Sequence, residues 1–282
     1  MRLSSWNIQW GRGADGKVDL QRTVNALKAI GDLDVICLQE VAQCFPGLAG
    51  GQGEDEVAML CAAFPDYEAV FGAAVDVPDG AGGRARFGNM VLSRLPLGQV
   101  FRHLLPAPPD PSMPSMQRVC VEVVVNTPFG PLRVMTTHLE YYSAIQRHAQ
   151  IMALRSLHAE AVGQAMAPSA SKESNPSFRP WPRPVAAVLC GDFNCEPDSP
   201  DYQQLLLPMT EAGMNWVDAW RVLHRHAAHP PTVGLHGADW PDRPYCCDFF
   251  VVTDDLAGCV RDVRVIADTP ASDHQPIVLE LA

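Results

Sequence analysis

The sequence predicts an α/β domain in which mixed β-sheets are covered by helices. Three patterns predict it. Short apolar runs rich in β-branched residues each end on a polar or charged side chain, stretches of helical periodicity lie between them, and a hairpin followed by further strands fills the second half. Strands alternating with helices early and hairpins later fit mixed sheets better than a purely parallel, doubly wound one.

In chain order, Leu3 to Trp6 leads into Asn7 as a first strand. Leu20, Val24, Leu27 and Ile30 share one face of a helix that begins after Asp19. The run from Leu33 reads as a strand through Gln39, with Glu40 following it. Glu54, Asp55 and Glu56 suit a helix N-terminus and precede Val57, Leu60, Cys61 and Phe64 at helical spacing. Gly88 to Ser93 is another buried-strand run, and the five prolines between Pro106 and Pro114 make an irregular connection because proline cannot donate to a ladder. Val119 to Val125 and Leu132 to His138 flank a Thr-Pro-Phe-Gly-Pro turn as a hairpin. Ser143 is placed to cap a longer helix running to about residue 163. Ala167 to Pro184, rich in Ser and Pro, reads as a surface loop. Val185 to Cys190 is a strand ending at Gly191-Asp192, and Phe249 to Val252, Val260 to Ile266 and Ile277 to Leu281 complete the strands. Neither loop is flanked in a way that separates domains, and no period of 20 to 50 residues repeats, so residues 1–282 are expected to form one domain.

Composition narrows the function. The chain has 282 residues, 47% of them hydrophobic, enough for one sizeable core. Its 21 Lys and Arg stand against 32 Asp and Glu, a formal charge of -11. Such a protein does not hold polyanions by its overall field, although bound cations can supply positive charge locally. Nine irregularly spaced cysteines, with Cys37, Cys120 and Cys190 inside apolar runs, suggest buried free thiols and not a disulfide framework. No apolar h-region follows the N-terminus and no run approaches the roughly 20 residues that span a bilayer, so a cytoplasmic protein without membrane insertion is expected. No obligate protein partner is evident.

The chemistry-bearing residues cluster where strands end. Asn7, Glu40, His138, Asp192 with Asn194, Asp248, and Asp273 with His274 all stand at such positions, and strand ends of stacked sheets converge on one rim. Several carboxylates with an amide make the oxygen-rich cage that Mg²⁺ prefers. Two histidines add groups that exchange protons near neutrality. Cleavage of a phosphate ester needs this set: charge neutralisation at the phosphoryl oxygens, a carboxylate for water, and donors to the developing charge.

Trp6-Asn7, Leu38-Gln39-Glu40, Thr137-His138-Leu139, Gly191-Asp192-Phe193-Asn194 and Ser272-Asp273-His274 occur in an order that resembles the endonuclease/exonuclease/phosphatase superfamily. Gly88-Asn89 with Val91 to Arg94, and Tyr245 to Asp248, fill two further positions, so the resemblance runs almost end to end. It implies a four-layer αββα sandwich and Mg²⁺-dependent cleavage of phosphodiesters or phosphomonoesters, with Mn²⁺ able to substitute. It implies Glu40 as principal metal ligand with Asn7 beside it and Asp273 in support. Asp192 would orient and activate water, aided by Asn194. His274 would contact the scissile phosphate, held by Asp248, because a partner carboxylate fixes an imidazole's tautomer and raises its basicity. His138 would stabilise the transition state or protonate the leaving oxygen, and Arg118 and Asn89 are candidates for phosphate contacts. Gln9 departs from the apurinic-site endonucleases, which carry an acidic residue there. The Thr-His-Leu context of His138 looks more like the sphingomyelinase, deadenylase and deoxyribonuclease branches.

Other features read as ordinary. His224, His226 and His229 match no ligand spacing and suit a solvated helix end, and Cys246-Cys247 lacks zinc spacing and suits packing. Arg84 and Arg86 beside a glycine-rich stretch are candidates for a substrate entrance, and Trp181 and Trp240 either stack on a base or pack on the surface. The expectation is a phosphodiesterase or nuclease using Mg²⁺, with a phosphate-ester substrate and nucleic acid among the candidates. The alternatives are a phosphatase or sphingomyelinase-like hydrolase of a small or lipid-linked phosphate, and a scaffold that keeps the fold without chemistry, against which the intact acid and histidine set argues.

Overall fold

A computed structural model describes residues 1–209 and 214–282. In chain order the elements are β1 (Arg2–Asn7), α1 (Leu20–Ala29), β2 (Val35–Gln43), α2 (Glu56–Ala63), β3 (Glu68–Pro78), β4 (Arg84–Ser93), β5 (Leu97–Leu104), β6 (Val119–Thr127), β7 (Gly130–His138), α3 (Ala144–Met166), β8 (Ala187–Asp192), α4 (Pro200–Leu206), β9 (Trp216–Asp218), α5 (Ala219–His224), β10 (Asp248–Thr253), β11 (Val260–Val265) and β12 (Ile277–Leu281). They build two six-stranded sheets, ordered β11-β12-β1-β2-β4-β3 and β5-β6-β7-β8-β10-β9. Each sheet is mixed: β1 and β2 run parallel at the centre of the first, β7 and β8 at the centre of the second, and the other pairs are antiparallel.

The alternation of side chains across a strand explains why the central runs are apolar throughout. Leu3, Val35 and Cys37 point between the sheets, where they meet Val121, Val123, Val134, Val188 and Phe250 of the second sheet. Trp6, Ile36 and Leu38 point the other way, onto Leu20, Val24 and Leu27 of α1 and Leu60 of α2. On the far side Met135, Leu189 and Phe249 cover Ile151 and Leu154 of α3 and Tyr202 of α4. The result is the four-layer αββα sandwich. The helix starts follow the capping residues: Asp19, Asp55 and Ser143 each accept from a backbone N–H three residues on.

Three strands escape the sequence reading. β3 and β5 are edge or near-edge strands with mixed exposure, and β9 is a three-residue edge strand, so none carries the continuous apolar run of a central strand. β2 also continues past Glu40 to Gln43, through a register shift between Leu38 and Val41. Arg84 and Arg86 both lie on β4, and both pair with Asp76 of β3. All nine cysteines are free, Cys246 and Cys247 buried as packing residues. No helix among the described residues is long and apolar enough to cross a membrane.

Candidate active site

At one rim of the sandwich the ends of β1, β2, β7, β8 and β10 and the segment before β12 meet. Asn7 closes β1, and its Nδ2 donates to Glu40 Oε1 and to Asp192 Oδ2, each at 3.0 Å. One amide thus joins carboxylates from the two sheets. Glu40 occupies the bulge in β2 with φ 57°, a left-handed conformation that costs a non-glycine residue free energy and tends to persist where the surroundings enforce it. The bulge is held from outside by Glu56 at the start of α2, whose carboxyl oxygen accepts from Ala42 N–H at 2.8 Å.

Asp192 ends β8, where the parallel neighbour β7 runs very close. A Cβ on Gly191 would stand 1.9 Å from Thr137 O, and the residue has φ 138°, so glycine alone fits there. Asn194, also left-handed at φ 50°, donates its backbone N–H to Asp192 Oδ1 at 2.9 Å and its side-chain amide to Leu139 O at 2.9 Å. Asp273 accepts from Gln9 Nε2 at 2.7 Å and from Ser272 Oγ at 3.1 Å. Gln9 therefore serves as a neutral donor to a carboxylate where an acidic residue would repel it.

The two histidines sit on either side of Asp192. His138 Nε2 is 3.4 Å from Asp192 Oδ2 and 3.8 Å from Glu40 Oε1. His274 Nε2 is 3.6 Å from Asp192 Oδ2, and its Nδ1 lies 2.9 Å from Asp248 Oδ2. That Asp248 oxygen also accepts from Thr232 Oγ1 at 2.6 Å. Trp6 Nε1 donates to His274 O at 2.9 Å and fixes the backbone from below.

The charge states follow from burial and neighbours. Burial, then Asp273, pushes the Glu40 carboxyl up to about 7. Burial, then Asp248, pushes Asp192 up to about 6 against the pull of His274. Asp273 is also raised, chiefly by burial. His138 is driven well below its ordinary value by burial and then by Arg118 and His274, so it is neutral. Burial opposes a charged His274 as well, but Asp248 and Asp192 outweigh it and hold that imidazole well above its ordinary value. The rim thus carries one neutral and one cationic imidazole.

The donor set suits a hard divalent cation. Three carboxylates, the buried Asp192 and Asp273 and the part-exposed Glu40, crowd one rim with their acidities suppressed, and the Asn7 amide oxygen, which accepts from Gln9 N–H, keeps a second lone pair. Asp192, Cys247 and His274 also offer ligand atoms within 4.8 Å of one another, but burial raises the Cys247 thiol far from its thiolate form. A cleft of about 570 Å³ opens over the cluster, with Glu40, His138, Asp192, Asn194, Asp273 and His274 in its floor and wall. Arg118 lines it too: its Nε meets Glu140 at 3.2 Å while its buried Nη1 has no partner. Asn89 is not part of the cleft; its Nδ2 donates to Val119 O between the sheets at 2.9 Å. Glu140 and Thr232 were not singled out in the sequence. Glu140 lies two residues beyond His138, whereas nothing local marks Thr232, which reaches Asp248 only through the fold.

A sequence model of the Endonuclease/Exonuclease/phosphatase family matches residues 4–274. No protein of curated function matches the chain by sequence. Among solved structures, the endonuclease/exonuclease/phosphatase from Beutenbergia cavernae superposes with a TM-score of 0.69 at 24% identity, over 100% of this chain and 72% of its own. A mannosyl-6-phosphatase from Bacteroides thetaiotaomicron gives 0.66 at 15% identity, over 100% and 99%. The 3' phosphatase NExo from Neisseria, bound to a product DNA hairpin, gives 0.61 at 19%, over 100% and 99%. At these identities the structural likeness is one of fold.

Proposed function

The chain belongs to the endonuclease/exonuclease/phosphatase family of phosphate-ester hydrolases, and on that premise we propose that residues 1–282 form one catalytic domain, a metal-dependent phosphodiesterase. The observation that carries the reading is the joining of Glu40 and Asp192 by the Asn7 amide, with a cationic His274 and a neutral His138 beside them. Glu40 and Asp273, with the oxygen of Asn7, would hold Mg²⁺ or Mn²⁺. Bound there, the cation neutralises the phosphoryl oxygens and eases charge build-up at phosphorus.

Asp192 orients a water and accepts one of its protons as the water oxygen bonds to phosphorus; a carboxyl near 6 suits that task at neutral pH. Asn194 fixes the carboxylate through its backbone N–H. The ester P–O bond breaks with its electron pair on the departing oxygen, which takes a proton from solvent. His274, protonated and anchored by Asp248, donates to a phosphoryl oxygen. His138, whose neutral form is favoured by burial and then by Arg118 and His274, hydrogen-bonds the phosphoryl group. Arg118, which lines the cleft, offers a further donor to the phosphate.

With Mg²⁺ and an aryl phosphodiester, Asp192→Asn and His274→Ala are expected to lose at least about a thousandfold in kcat/KM. Circular dichroism should stay unchanged, and chelation should silence the wild type. Near-normal rates in both folded variants would overturn the assignment. A second reading, a phosphomonoesterase, draws on the two phosphatases among the fold relatives. Activity confined to the monoester of the same aryl group would select it.

A further inference from the structure

The cleft above this site has a chemistry of its own. Trp10, Phe45 and Phe87 form one wall, with Phe87 6.3 Å from Trp10 and 6.1 Å from Phe45 between ring centroids. Tyr141 and Trp240 form another, 5.4 Å apart and edge to face. Both indoles are pinned. Trp10 Nε1 donates to Ala49 O at 3.0 Å and Trp240 Nε1 to Tyr141 OH at 3.0 Å. Trp10 is also set on a left-handed turn at φ 43°. Trp240 lies 5.9 Å from the His274 ring with 30° between the planes, so a group stacked on it is adjacent to the place where phosphate is cleaved.

Charge is as informative. Arg118 is the one Arg or Lys lining the cleft among the described residues, and it already pairs with Glu140. The arginines nearby are paired: Arg12 with Asp239, Arg243 with Glu196, and Arg86 with Asp76, a carboxylate it shares with Arg84. A chain of phosphates would meet apolar walls or carboxylates beyond the first phosphate. The volume of about 570 Å³ is that of a small-molecule site.

We propose that this cleft selects a small phosphate ester with a single phosphate and one flat, uncharged ring system, which stacks between the Trp10 and Trp240 walls. The proposal rests on the active-site reading above and names its substrate class. A nucleobase and a simple aryl group share the required chemistry, and a ring-substituted series distinguishes them.

The test is binding and turnover together, in Mg²⁺. Tryptophan fluorescence would follow titration with phenyl phosphate, a nucleoside monophosphate and methyl phosphate. Methyl phenyl phosphate and dimethyl phosphate would be hydrolysed in parallel, each corrected for its uncatalysed rate. The ring-bearing ligands and diester are expected to be preferred about tenfold or more, from one or two aromatic stacking contacts. Trp10→Ala and Trp240→Ala should each cut that ratio several-fold, with Trp10→Phe and Trp240→Phe retaining most of it. Equal binding of phenyl and methyl phosphate, or a ratio unmoved by either alanine, would overturn the proposal. So would a stronger preference for an oligonucleotide or for phospholipid vesicles. Asp192→Asn separates the two claims: hydrolysis surviving in that variant removes the active-site reading, whereas a dead variant with no ring preference removes only this inference.

Discussion

Asp248 Oδ2 sits 2.9 Å from Nδ1 of His274 and takes the Thr232 hydroxyl at 2.6 Å, both within a buried shell. A carboxylate so placed does two things to the imidazole: it fixes which nitrogen faces Asp192, and it keeps the ring protonated. The second is testable through pH. The raised pKa of His274 means that the cation survives past neutrality and is lost as pH climbs through that raised value, so activity should fall on the alkaline side. Asp248→Asn removes the anion, lowers the imidazole pKa, and should move the alkaline limb of kcat/KM to lower pH by about one unit or more. An unmoved limb would mean that Asp248 only orients the ring. Asp273 and His274 were legible in the sequence because an acid and an imidazole stand side by side before the last strand. Thr232 was not, because its partner lies sixteen positions away and only the packing of the segment before β10 brings them together.

Glu40 shows what an element contributes beyond its residues. The sequence marks β2 as a strand but not its bulge, because a bulge changes register by one position and leaves the apolar pattern intact on either side. The device that holds it is Glu56, which follows the N-cap Asp55 and reaches back to Ala42 N–H. Burial raises the Glu56 carboxyl to about 8, against the lowering effect of that hydrogen bond. Since the folded value exceeds the unfolded one near 4.5, the native state holds the proton longer. Stability is therefore fullest below the unfolded value and falls as pH rises from there to about 8. Glu56→Gln keeps the acceptor and removes the charge. It should match the wild type below about pH 5 and exceed it by about 2 kcal/mol or more at pH 8, read from urea midpoints. A constant difference at both pH values would mean that the carboxyl ionises normally. The central strands and the helices α1, α2 and α3 were legible because apolar runs and capping residues are local signals, whereas α4 and α5, though capped by Ser199 and Asp218, are too short to show a helical period. β3, β5 and β9 were not, because edge strands owe their pairing to a neighbour and not to their own pattern.

The two sheets have one plan. β11-β12-β1-β2-β4-β3 and β5-β6-β7-β8-β10-β9 match strand for strand in order and in parallel or antiparallel sense, so the molecule is two half-units of one strand plan. Under that relation Asn7 at the end of β1, paired with Gln39, corresponds to His138 at the end of β7, paired with Asp192, so Glu40 lies one residue beyond the counterpart of Asp192, and the segment carrying His274 before β12 corresponds to Arg118 before β6. The sequence hides the repeat because the last hairpin of the chain completes the first half-unit, and because corresponding positions carry different side chains. One half supplies mainly an amide and carboxylates, the other mainly imidazole, guanidinium and the water-orienting acid, and both face a single cleft. Among the described residues the cleft has no rim of unpaired arginines: the net charge of the chain is -11, and the arginines around the cleft are paired. A polyanion-binding enzyme releases counterions on association and so weakens steeply with salt, by a power of the number of phosphates contacted. One phosphate held in a cleft of about 570 Å³ releases few. At fixed Mg²⁺, kcat/KM for a small aryl phosphodiester should therefore change by no more than about threefold as monovalent salt rises from low to several times physiological strength. A log–log decline several-fold steeper would mean that phosphates beyond the scissile one are held on a surface these paired arginines do not reveal, and that the substrate is a polymer.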